Sequence, residues 1–334
     1  MHMKMYDVYG IGNALVDTEF EVTEDFLKKQ KIEKGCMSLL DAEGHQSLSK
    51  ILRQEFEVKK QSGGGSAGNT MYSLTQFGGK AFYSCKVASD SVGEYFLSEL
   101  GHNNIETSSQ EKTPGTSGQC LIMVTPDAER TMNTYLGVSA DLSMGEVNFE
   151  AAKNSEYIYI EGFLVSSDSA REAIMELKNF AKNSDVKIAL TFSDPAVVTH
   201  FKDAINDLLT GGIDLLFCNE EELKIWADSG DFDEACSQMS KFARQFAVTR
   251  GAQGATLFDS KEYISIAPNE VRAINTNGAG DMFAGAFLYA ITQNYNFKKA
   301  GEFASLASAQ IVTQFGPRLE HKEHHEIKMK VLGE

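Results

Sequence analysis

Two patterns of apolar and polar residues divide the chain. From about residue 155 onward, short runs that are apolar almost throughout alternate with amphipathic stretches, and these runs span 157–163, 187–194, 214–219 and 246–251. The stretches between them, such as SAREAIMELKNFAKN at 169–183, carry apolar residues at helical spacing. Strands without a polar face are typical of a parallel sheet that helices cover on both sides. The pattern therefore predicts an α/β body that ends in two helices, over 278–294 and 297–315.

The N-terminal half alternates apolar with polar residues instead. VDTEFEV (16–22), GQCLIMVT (118–125) and RTMNTYLG (130–137) have this period, and the turn-like PDAE joins the last two into a predicted β-hairpin. Alternation indicates a sheet with one solvated face. We therefore predict a small β lid made of residues 14–41 and 115–137. The lid is inserted into the α/β body, which comprises residues 1–13, 42–114 and 138–334.

The composition is that of an ordinary globular protein, with 334 residues of which 42% are hydrophobic and 23% are charged. A net charge of −16 excludes nucleic acid as an expected partner, because such a surface repels a phosphate backbone. Five cysteines lie far apart and without metal-ligand spacing, which suits a reducing compartment. The N-terminal residues show no apolar stretch as long as a signal peptide or membrane span needs. We therefore expect a cytoplasmic protein without a membrane partner.

The segment NTNGAGDMFAGAF (275–287) places glycines directly ahead of a predicted helix. Glycines there leave the first backbone N–H groups of the helix pointing outward, so Gly278, Ala279 and Gly280 form a candidate anion hole. Asp281 follows at once. If the anion is a phosphoryl group in transfer, the Asp281 carboxylate can accept the proton of the acceptor hydroxyl while the backbone donors stabilise the developing charge. The alternative is that Asp281 only complements the helix dipole.

Two further motifs point to a hydroxyl-bearing substrate. In SGGGSAGN, Gly64 and Gly65 permit a ligand to approach closely and Asn69 can donate and accept, although a glycine turn with a helix cap is the alternative. Asp17 can hold two sugar hydroxyls with its two oxygens, or it is an exposed loop residue. The stretch YGIGNALVD begins like a dinucleotide-binding motif, but Leu15 stands where the third glycine belongs. This departure disfavours a dinucleotide oxidoreductase.

Two motifs in the second half point to a nucleotide. Asn219 and Glu222 lie three residues apart at a predicted helix start and can orient waters around Mg²⁺, although acids favour that position in any case. Thr249, Gly251 and Gly254 lie at a strand end, which is where α/β sheets receive nucleotides, or they form a plain turn.

Two segments carry positive or titratable side chains. Arg130, in the predicted lid, can swing over a phosphate or lie on a solvated strand face. The segment HKEHHE (321–326) has three histidines within a charged tail, and we predict that they face solvent rather than bind a metal.

In this order along the chain, GGGSAGN, NEEE, TRGAQG and NTNGAGDMFAGAF resemble the motifs of the ribokinase-like, or PfkB-type, carbohydrate and nucleoside kinases. The resemblance covers nearly the whole chain, and the last motif is the most specific. YGIGNALVD, EKGCMSLLD and GTSGQCLIMVTPDAERTMNTYLG look most like the adenosine kinase branch. The resemblance implies a ribokinase-like three-layer α/β body with a mainly parallel sheet and a small β-sheet lid. It also implies phosphoryl transfer from ATP, with Mg²⁺, to a sugar hydroxyl.

The resemblance implies roles for the residues singled out above. By this resemblance, Asp281 is the base and the backbone at 278–280 is the anion hole. The ribose is held by Asp17, Gly65 and Asn69. Asn219 and Glu222 organise the magnesium and phosphates, and the nucleotide lies near Thr249 and Gly251. Glu161 stands where sugar kinases such as ribokinase also place an acid. Asn275 stands where many members have an aspartate that belongs, in some relatives, to a monovalent-cation site. A neutral amide weakens such a site, so dependence on potassium stays open.

We therefore predict an ATP-dependent kinase of the 5′-hydroxyl of a nucleoside, with adenosine the first candidate. A kinase of a free sugar, ribose or fructose, is the alternative, and a nucleotide sensor without catalysis is a second. An apolar slot for a base distinguishes the first two, and its candidate residues, which are equally plausible as lid core, are Leu15, Met37, Leu136 and Phe163. The lid either closes over the substrate and carries Arg130 inward or forms a fixed dimer interface, so the chain is a monomer or a homodimer.

Overall fold

The computed structural model describes residues 4–108 and 113–334, so residues 1–3 and 109–112 of the predicted body lie outside it. The described strands, β1 to β14 in chain order, are Tyr6–Ile11, Leu15–Glu21, Met37–Leu39, Val58–Gly64, Ala81–Ser84, Ile105–Glu106, Gly118–Val124, Arg130–Tyr135, Ser155–Ile160, Lys187–Thr191, Ile213–Asn219, Ala243–Thr249, Ala255–Phe258 and Tyr263–Ile266. The described helices, α1 to α13, are Glu24–Gln30, Ala42–Glu55, Ser66–Gln76, Ser91–His102, Phe149–Lys153, Asp168–Lys182, Pro195–His200, Lys202–Leu209, Glu220–Ala227, Phe232–Met239, Ala279–Thr292, Phe297–Ile311 and His321–Leu332.

The body is built on a nine-stranded sheet, counted over the described residues, with the order β14-β13-β12-β11-β10-β9-β1-β5-β6. Strands from β12 across to β6 run parallel, and β13 and β14 extend the sheet antiparallel. Helices bury both faces: Phe192 and Trp226 belong to the core on one side, and Phe287 and Phe303 to the core on the other. This arrangement confirms the predicted α/β body, and α11 and α12 are the two predicted C-terminal helices.

The parallel strands of the body bring polar residues to one edge. Asn13 follows β1, Glu161 follows β9, Asn219 ends β11 and Thr249 ends β12. Because these strands are parallel neighbours in one sheet, their carboxyl ends open on the same crevice, which is where α/β sheets bind ligands. The apolar strands of the second half therefore pair into one sheet, and their pairing brings the polar residues at their ends to one edge.

The lid is a five-stranded sheet, again counted over the described residues, with the order β3-β8-β7-β2-β4. Strands β7 and β8 pair antiparallel, from Gln119–Tyr135 to Val124–Arg130, which confirms the predicted hairpin. The sheet also takes in β4, which pairs antiparallel with β2 and runs directly into α3. The lid sheet thus extends beyond the predicted segments 14–41 and 115–137.

Both faces of the lid sheet are covered, so the expectation of a solvated face is wrong. On the outer face, Phe20 and Leu121 pack against Phe26 of α1 and Leu52 of α2. These two helices follow β2 and β3 and supply the apolar cover that strand alternation alone does not reveal. The inner face, which carries a smaller cluster around Ile122, looks toward the carboxyl edge of the body sheet.

The C-terminal segment is a helix and not a solvated tail. Helix α13 begins at a capping box formed by Glu320 and Glu323. His324 is fully buried and packs edge-on against Phe77 and Tyr72, and its burial lowers the pKa of the imidazole to about 4. The prediction that all three histidines face solvent is therefore wrong for His324, because α13 turns that side of its surface toward the body. Within the described ranges, no helix has the length and hydrophobicity to cross a bilayer.

Candidate active site

A cavity of about 830 Å³ lies between the inner face of the lid and the carboxyl edge of the body sheet. Its walls bring together nearly all of the predicted site residues: Leu15, Asp17, Met37, Gly65, Asn69, Arg130, Leu136, Glu161, Phe163, Asn219, Glu222, Thr249, Gly251, Gly254, Gly278, Ala279, Gly280 and Asp281. Gly64 lies just behind the wall, where a Cβ would overlap the carboxylate of Asp17. Residues that the sequence predicted separately therefore share one cleft.

The glycine–aspartate turn begins helix α11. Gly278 is the N-cap residue with φ 75°, a left-handed conformation that favours glycine, and a Cβ there would strike Pro317. An α-helix leaves its first N–H groups without intrahelical partners. Ala279 N donates to Thr276 O at 3.3 Å, so the backbone donors that α11 presents at this end of the cavity are those of Gly280 and Asp281. Apart from its own neighbours in α11, no described atom lies within 4 Å of the place where a side chain of Gly280 would begin. The turn therefore combines backbone donors with room for an anion.

The Asp281 carboxylate is held by the start of a second helix. Ser66 Oγ donates to Asp281 Oδ1 at 2.7 Å, and Asn69 Nδ2 donates to Oδ2 at 3.1 Å. Burial raises the pKa of Asp281, while the two hydrogen bonds and the charges of Arg130 and Arg318 oppose the rise. The N-termini of α3 and α11 thus face each other across this carboxylate and fix its orientation toward the cavity.

Arg318 is a site residue that the sequence did not indicate. Its Nε donates to Asn69 Oδ1 at 3.1 Å, its guanidinium lies 4.8 Å from the ring centroid of Tyr72, and Nη1 is 3.6 Å from Glu99 Oε2. An arginine can only donate, so Asn69 must present its oxygen to Arg318 and its NH₂ to Asp281. The side chain comes from an irregular Gly-Pro-Arg segment after α12, where no periodicity distinguishes it.

Asp17 lies on lid strand β2, is 5% exposed, and faces the cavity. Burial raises the pKa of Asp17 to about 7, and the neighbouring carboxylates of Glu19 and Asp281 also act to raise it. Arg318 and a hydrogen bond from Asn277 act in the opposite direction. Such a carboxylate can accept hydrogen bonds from ligand hydroxyls, because the donors of the chain occupy only some of its lone pairs.

Glu161 is occupied within the chain. Its Oε1 accepts from the backbone and side chain of Asn13, at 3.2 and 2.9 Å, and Oε2 accepts from Ala67 N at 2.8 Å. Burial raises the pKa of Glu161 to about 7. The carboxylate therefore ties the end of β1 to the first turn of α3, in addition to contributing to the cavity wall.

At the far end of the cavity, Asn219 and Glu222 form a reciprocal cap of α9. Asn219 Oδ1 accepts from Glu222 N at 2.8 Å, and the two oxygens of Glu222 accept from Asn219 N and Nδ2, each at 2.9 Å. Burial raises the pKa of Glu222 to about 7. The walls here include several residues that the sequence did not indicate: Asn269, Val271, Ala273, Ser305, Ser308 and Val312. They come from a loop without periodicity and from one side of α12, so pattern alone could not find them.

Arg130 begins strand β8 and is partly buried at the lid side of the cavity. Burial raises the pKa of Asp194, Glu222 and Asp281, three acids from different parts of the body, and the charge of Arg130 opposes that rise in each of them. Its Nε is buried without a hydrogen-bond partner among the described residues. The guanidinium is thus placed between the two ends of the cavity with donor capacity to spare.

Comparisons with known proteins agree with this architecture. A family model described as pfkB family carbohydrate kinase matches residues 40–323. The solved structure of a probable sugar kinase from Rhizobium etli is 30% identical, covers 99% of both chains and gives a TM-score of 0.91. The structure of adenosine kinase from Sinorhizobium meliloti is also 30% identical, covers 94% of this chain and 96% of that chain, and gives a TM-score of 0.88. Adenosine kinase of Saccharomyces cerevisiae is 24% identical over 92% of this chain and 95% of its own length. These likenesses confirm the predicted ribokinase-like fold.

Proposed function

We infer that this chain, which belongs to the pfkB family of carbohydrate kinases, phosphorylates the 5′-hydroxyl of a nucleoside, with adenosine as the preferred acceptor. Its family and its relatives make it an ATP-dependent phosphotransferase that acts on an alcohol. The observation that carries the finer proposal is the apolar part of the cavity beside Asp17.

This part of the cavity combines one carboxylate with apolar walls. Leu15, Met37, Leu136 and Phe163 line it, together with Ile122 and Met132 of the inner lid face. A nucleoside matches such a wall, because its ribose carries the hydroxyls while the faces of its base are flat and apolar. A free sugar carries hydroxyls around its whole ring and would bury some of them against apolar side chains at a cost. The arrangement therefore favours a nucleoside over a free sugar.

The proposed reaction uses residues of both lobes. Asp17 accepts hydrogen bonds from the ribose hydroxyls and holds the 5′-hydroxyl toward Asp281. Asp281 then accepts the proton of the 5′-hydroxyl. As it does so, the 5′-oxygen bonds to the γ-phosphorus of ATP, and the bond between the γ-phosphorus and the β,γ-bridging oxygen breaks, so that ADP leaves. The backbone N–H groups of Gly280 and Asp281 and the Arg130 guanidinium stabilise the charge on the transferred group.

Magnesium bound with ATP would neutralise charge on the phosphates during transfer. Asn219 and Glu222 fit a role at this ion. Each oxygen of Glu222 accepts one hydrogen bond from Asn219, so lone pairs remain that can accept from water molecules bound to the metal. Because Mg²⁺ keeps much of its hydration shell, contacts through water are the form that these two residues would supply.

The test is an acceptor panel scored by release of ADP. Adenosine, other ribonucleosides, ribose and fructose are compared at equal concentration with the purified protein, and the phosphorylated product is identified by mass spectrometry. We expect adenosine to give the highest kcat/KM, with phosphate on the 5′ position. An Asp281→Asn preparation made in parallel shows which ADP release comes from a contaminant. A higher kcat/KM for ribose or fructose would replace the nucleoside assignment by a sugar kinase.

A further inference from the structure

The carboxylate of Glu19 crosses from the lid to the anion-binding turn of the body. Glu19 lies on strand β2, two residues beyond Asp17, and is 1% exposed. Its Oε2 accepts from Asn275 Nδ2 at 3.0 Å and from Gly316 N at 2.6 Å, and its Oε1 accepts from Asn277 Nδ2 at 2.8 Å. Three donors from the body thus converge on a single carboxylate of the lid.

These donors belong to the segments that shape the start of α11. Asn277 immediately precedes Gly278 and Asn275 lies three residues before it, and Asn275 Oδ1 accepts from Asn277 N at 2.9 Å. Gly316 precedes Pro317, the residue against which Gly278 packs. Glu19 therefore contacts both chain segments that set the backbone conformation of the turn.

Asn277 extends the connection to the acceptor site. Its side-chain amide donates to Glu19 Oε1 at 2.8 Å, and the same side chain acts to lower the pKa of Asp17, two residues before Glu19 on β2. An amide NH₂ has two hydrogens, and these two lid carboxylates face it from neighbouring positions of β2. The orientation of Asn277 is thus fixed by Glu19, and Asn277 in turn links the acceptor-binding carboxylate to the anion-binding turn.

We propose that Glu19 is a positioning residue, which holds the 275–278 turn in its anion-binding conformation and couples that conformation to the docking of lid strand β2 against the body. Glu19 does not touch the reacting groups in this arrangement. The inference rests on the kinase activity of the chain and not on the identity of the acceptor.

The choice of residue follows from hydrogen-bond chemistry. An ionised carboxylate accepts at both oxygens, and the three groups that face Glu19 are all donors. A glutamine could satisfy Asn275 and Gly316 with its oxygen, but its NH₂ would then face the NH₂ of Asn277. Leaving a buried donor unpaired is unfavourable, so the Asn277 side chain would turn away and release Asp17 and the backbone before Gly278.

The experiment compares Glu19→Gln with Glu21→Gln. Glu21 lies on the same strand with its side chain 51% exposed and paired with Lys59, so its substitution controls for loss of a charge on β2. The assay uses whichever acceptor the parent protein phosphorylates fastest. We expect Glu19→Gln to lower kcat about 10- to 100-fold, since small misplacements of a catalytic constellation cost that much, with the KM for ATP nearly unchanged. Glu21→Gln should match the parent.

Hydrogen exchange supplies a readout that does not depend on turnover. In Glu19→Gln, amides at 275–280 and in strand β2 should exchange faster than in the parent, while those in β10 and β11 of the body should not change. Equal protection of 275–280 in variant and parent, or a kcat within the error of the parent, would overturn the proposal. If the amide variant does not fold, Glu19→Asp replaces it with the same expected direction, because the shorter side chain cannot reach all three donors.

A reversed pair separates positioning from general damage. Asn275→Asp alone puts two carboxylates in contact and should lower kcat strongly. In the double variant Glu19→Gln with Asn275→Asp, the glutamine NH₂ donates to the new aspartate. Adding Asn275→Asp to Glu19→Gln should therefore lower kcat only a little further. Losses that simply multiply in the double variant would mean that the two side chains act independently and would contradict the coupling.

Discussion

Side chains on both faces are mostly buried in the body sheet and in the lid sheet, but only the body sheet has helices on both faces, as its sequence indicates. The body strands are apolar throughout and helices pack on each side. The lid strands alternate, with α1 and α2 on one face and the cleft on the other. The lid thus directs Asp17, Glu19 and Arg130 inward, whereas the body contributes helix starts and strand ends. This division suggests that Asp281 and the helix starts of the body should govern phosphoryl transfer, and that Asp17 of the lid should govern recognition of the acceptor.

The largest effect is expected at the body side of this comparison. Asp281→Asn should lower kcat by about 10²–10⁴-fold, the usual contribution of a general base, while the fold and ATP binding are kept. Stopped-time assays and ATP titration measure both quantities. The matched control is Asp25→Asn, which changes an acid in the first turn of α1 whose side chain is 95% exposed. Near-parental turnover of Asp281→Asn would show that Asp281 is not the base and would contradict this division of roles between body and lid.

A lid substitution should act on selectivity. If Asp17 binds both ribose hydroxyls, the parent should use 2′-deoxy- and 3′-deoxyadenosine with kcat/KM about 10- to 100-fold below that of adenosine, the cost of one lost hydrogen bond to a charged group. In Asp17→Asn this ratio should shrink toward one. Measuring kcat/KM for the three nucleosides on both proteins checks it, and equal use of all three by the parent would contradict the assignment.

A smaller effect concerns pH. Asp281 must be ionised to accept a proton, so kcat/KM should fall as the pH drops below the pKa of this group. Arg318 lowers the pKa of Asp281, so its removal in Arg318→Met should raise that pKa and move the acid limb of the profile to higher pH. Arg318→Lys keeps the charge and should leave the limb near its parental position. An unmoved limb in Arg318→Met would show that the arginine acts only through Asn69.

The smallest and most diffuse effect should be in lid motion. Because the inner lid face forms a wall of the cavity, we expect acceptor binding to slow amide exchange in 115–137 more than in β10 or β11 of the body. Hydrogen-exchange mass spectrometry on the free and acceptor-saturated protein measures the difference. Protection of 115–137 that is already complete without a ligand would favour a fixed lid, such as one held in a dimer, over a closing one.

Much of the fold could be predicted because its signal is local. Apolar runs of six to eight residues mark the body strands, and PDAE between alternating segments marks the β7–β8 hairpin. The position of Gly278 directly before a helix likewise predicts a turn with free backbone donors, because the first N–H groups of a helix lack intrahelical partners. These features depend on neighbours in sequence, which periodicity and turn chemistry describe.

The remainder depends on contacts between distant segments. Nothing near Arg318 indicates that it will meet Asn69, 249 residues away, and nothing near Glu19 indicates Gly316, 297 residues away. His324 looks like part of a charged tail because its partners, Phe77 and Tyr72, come from the other end of the chain. Such pairings are set by how elements stack, and a single sequence contains no local trace of them.

The segment around Gly316 and Arg318 has a consequence for biosynthesis. All fourteen strands described here precede it, yet the contact from Arg318 to Asn69 and one of the three donors to Glu19 come from it. During translation, both sheets can therefore form on the ribosome before the catalytic geometry exists, because domains begin to fold from the N-terminal side. A chain released early, before residue 316, should be compact and inactive. Activity would then appear only once residues 316–318 have been synthesised and have docked against Glu19 and Asn69.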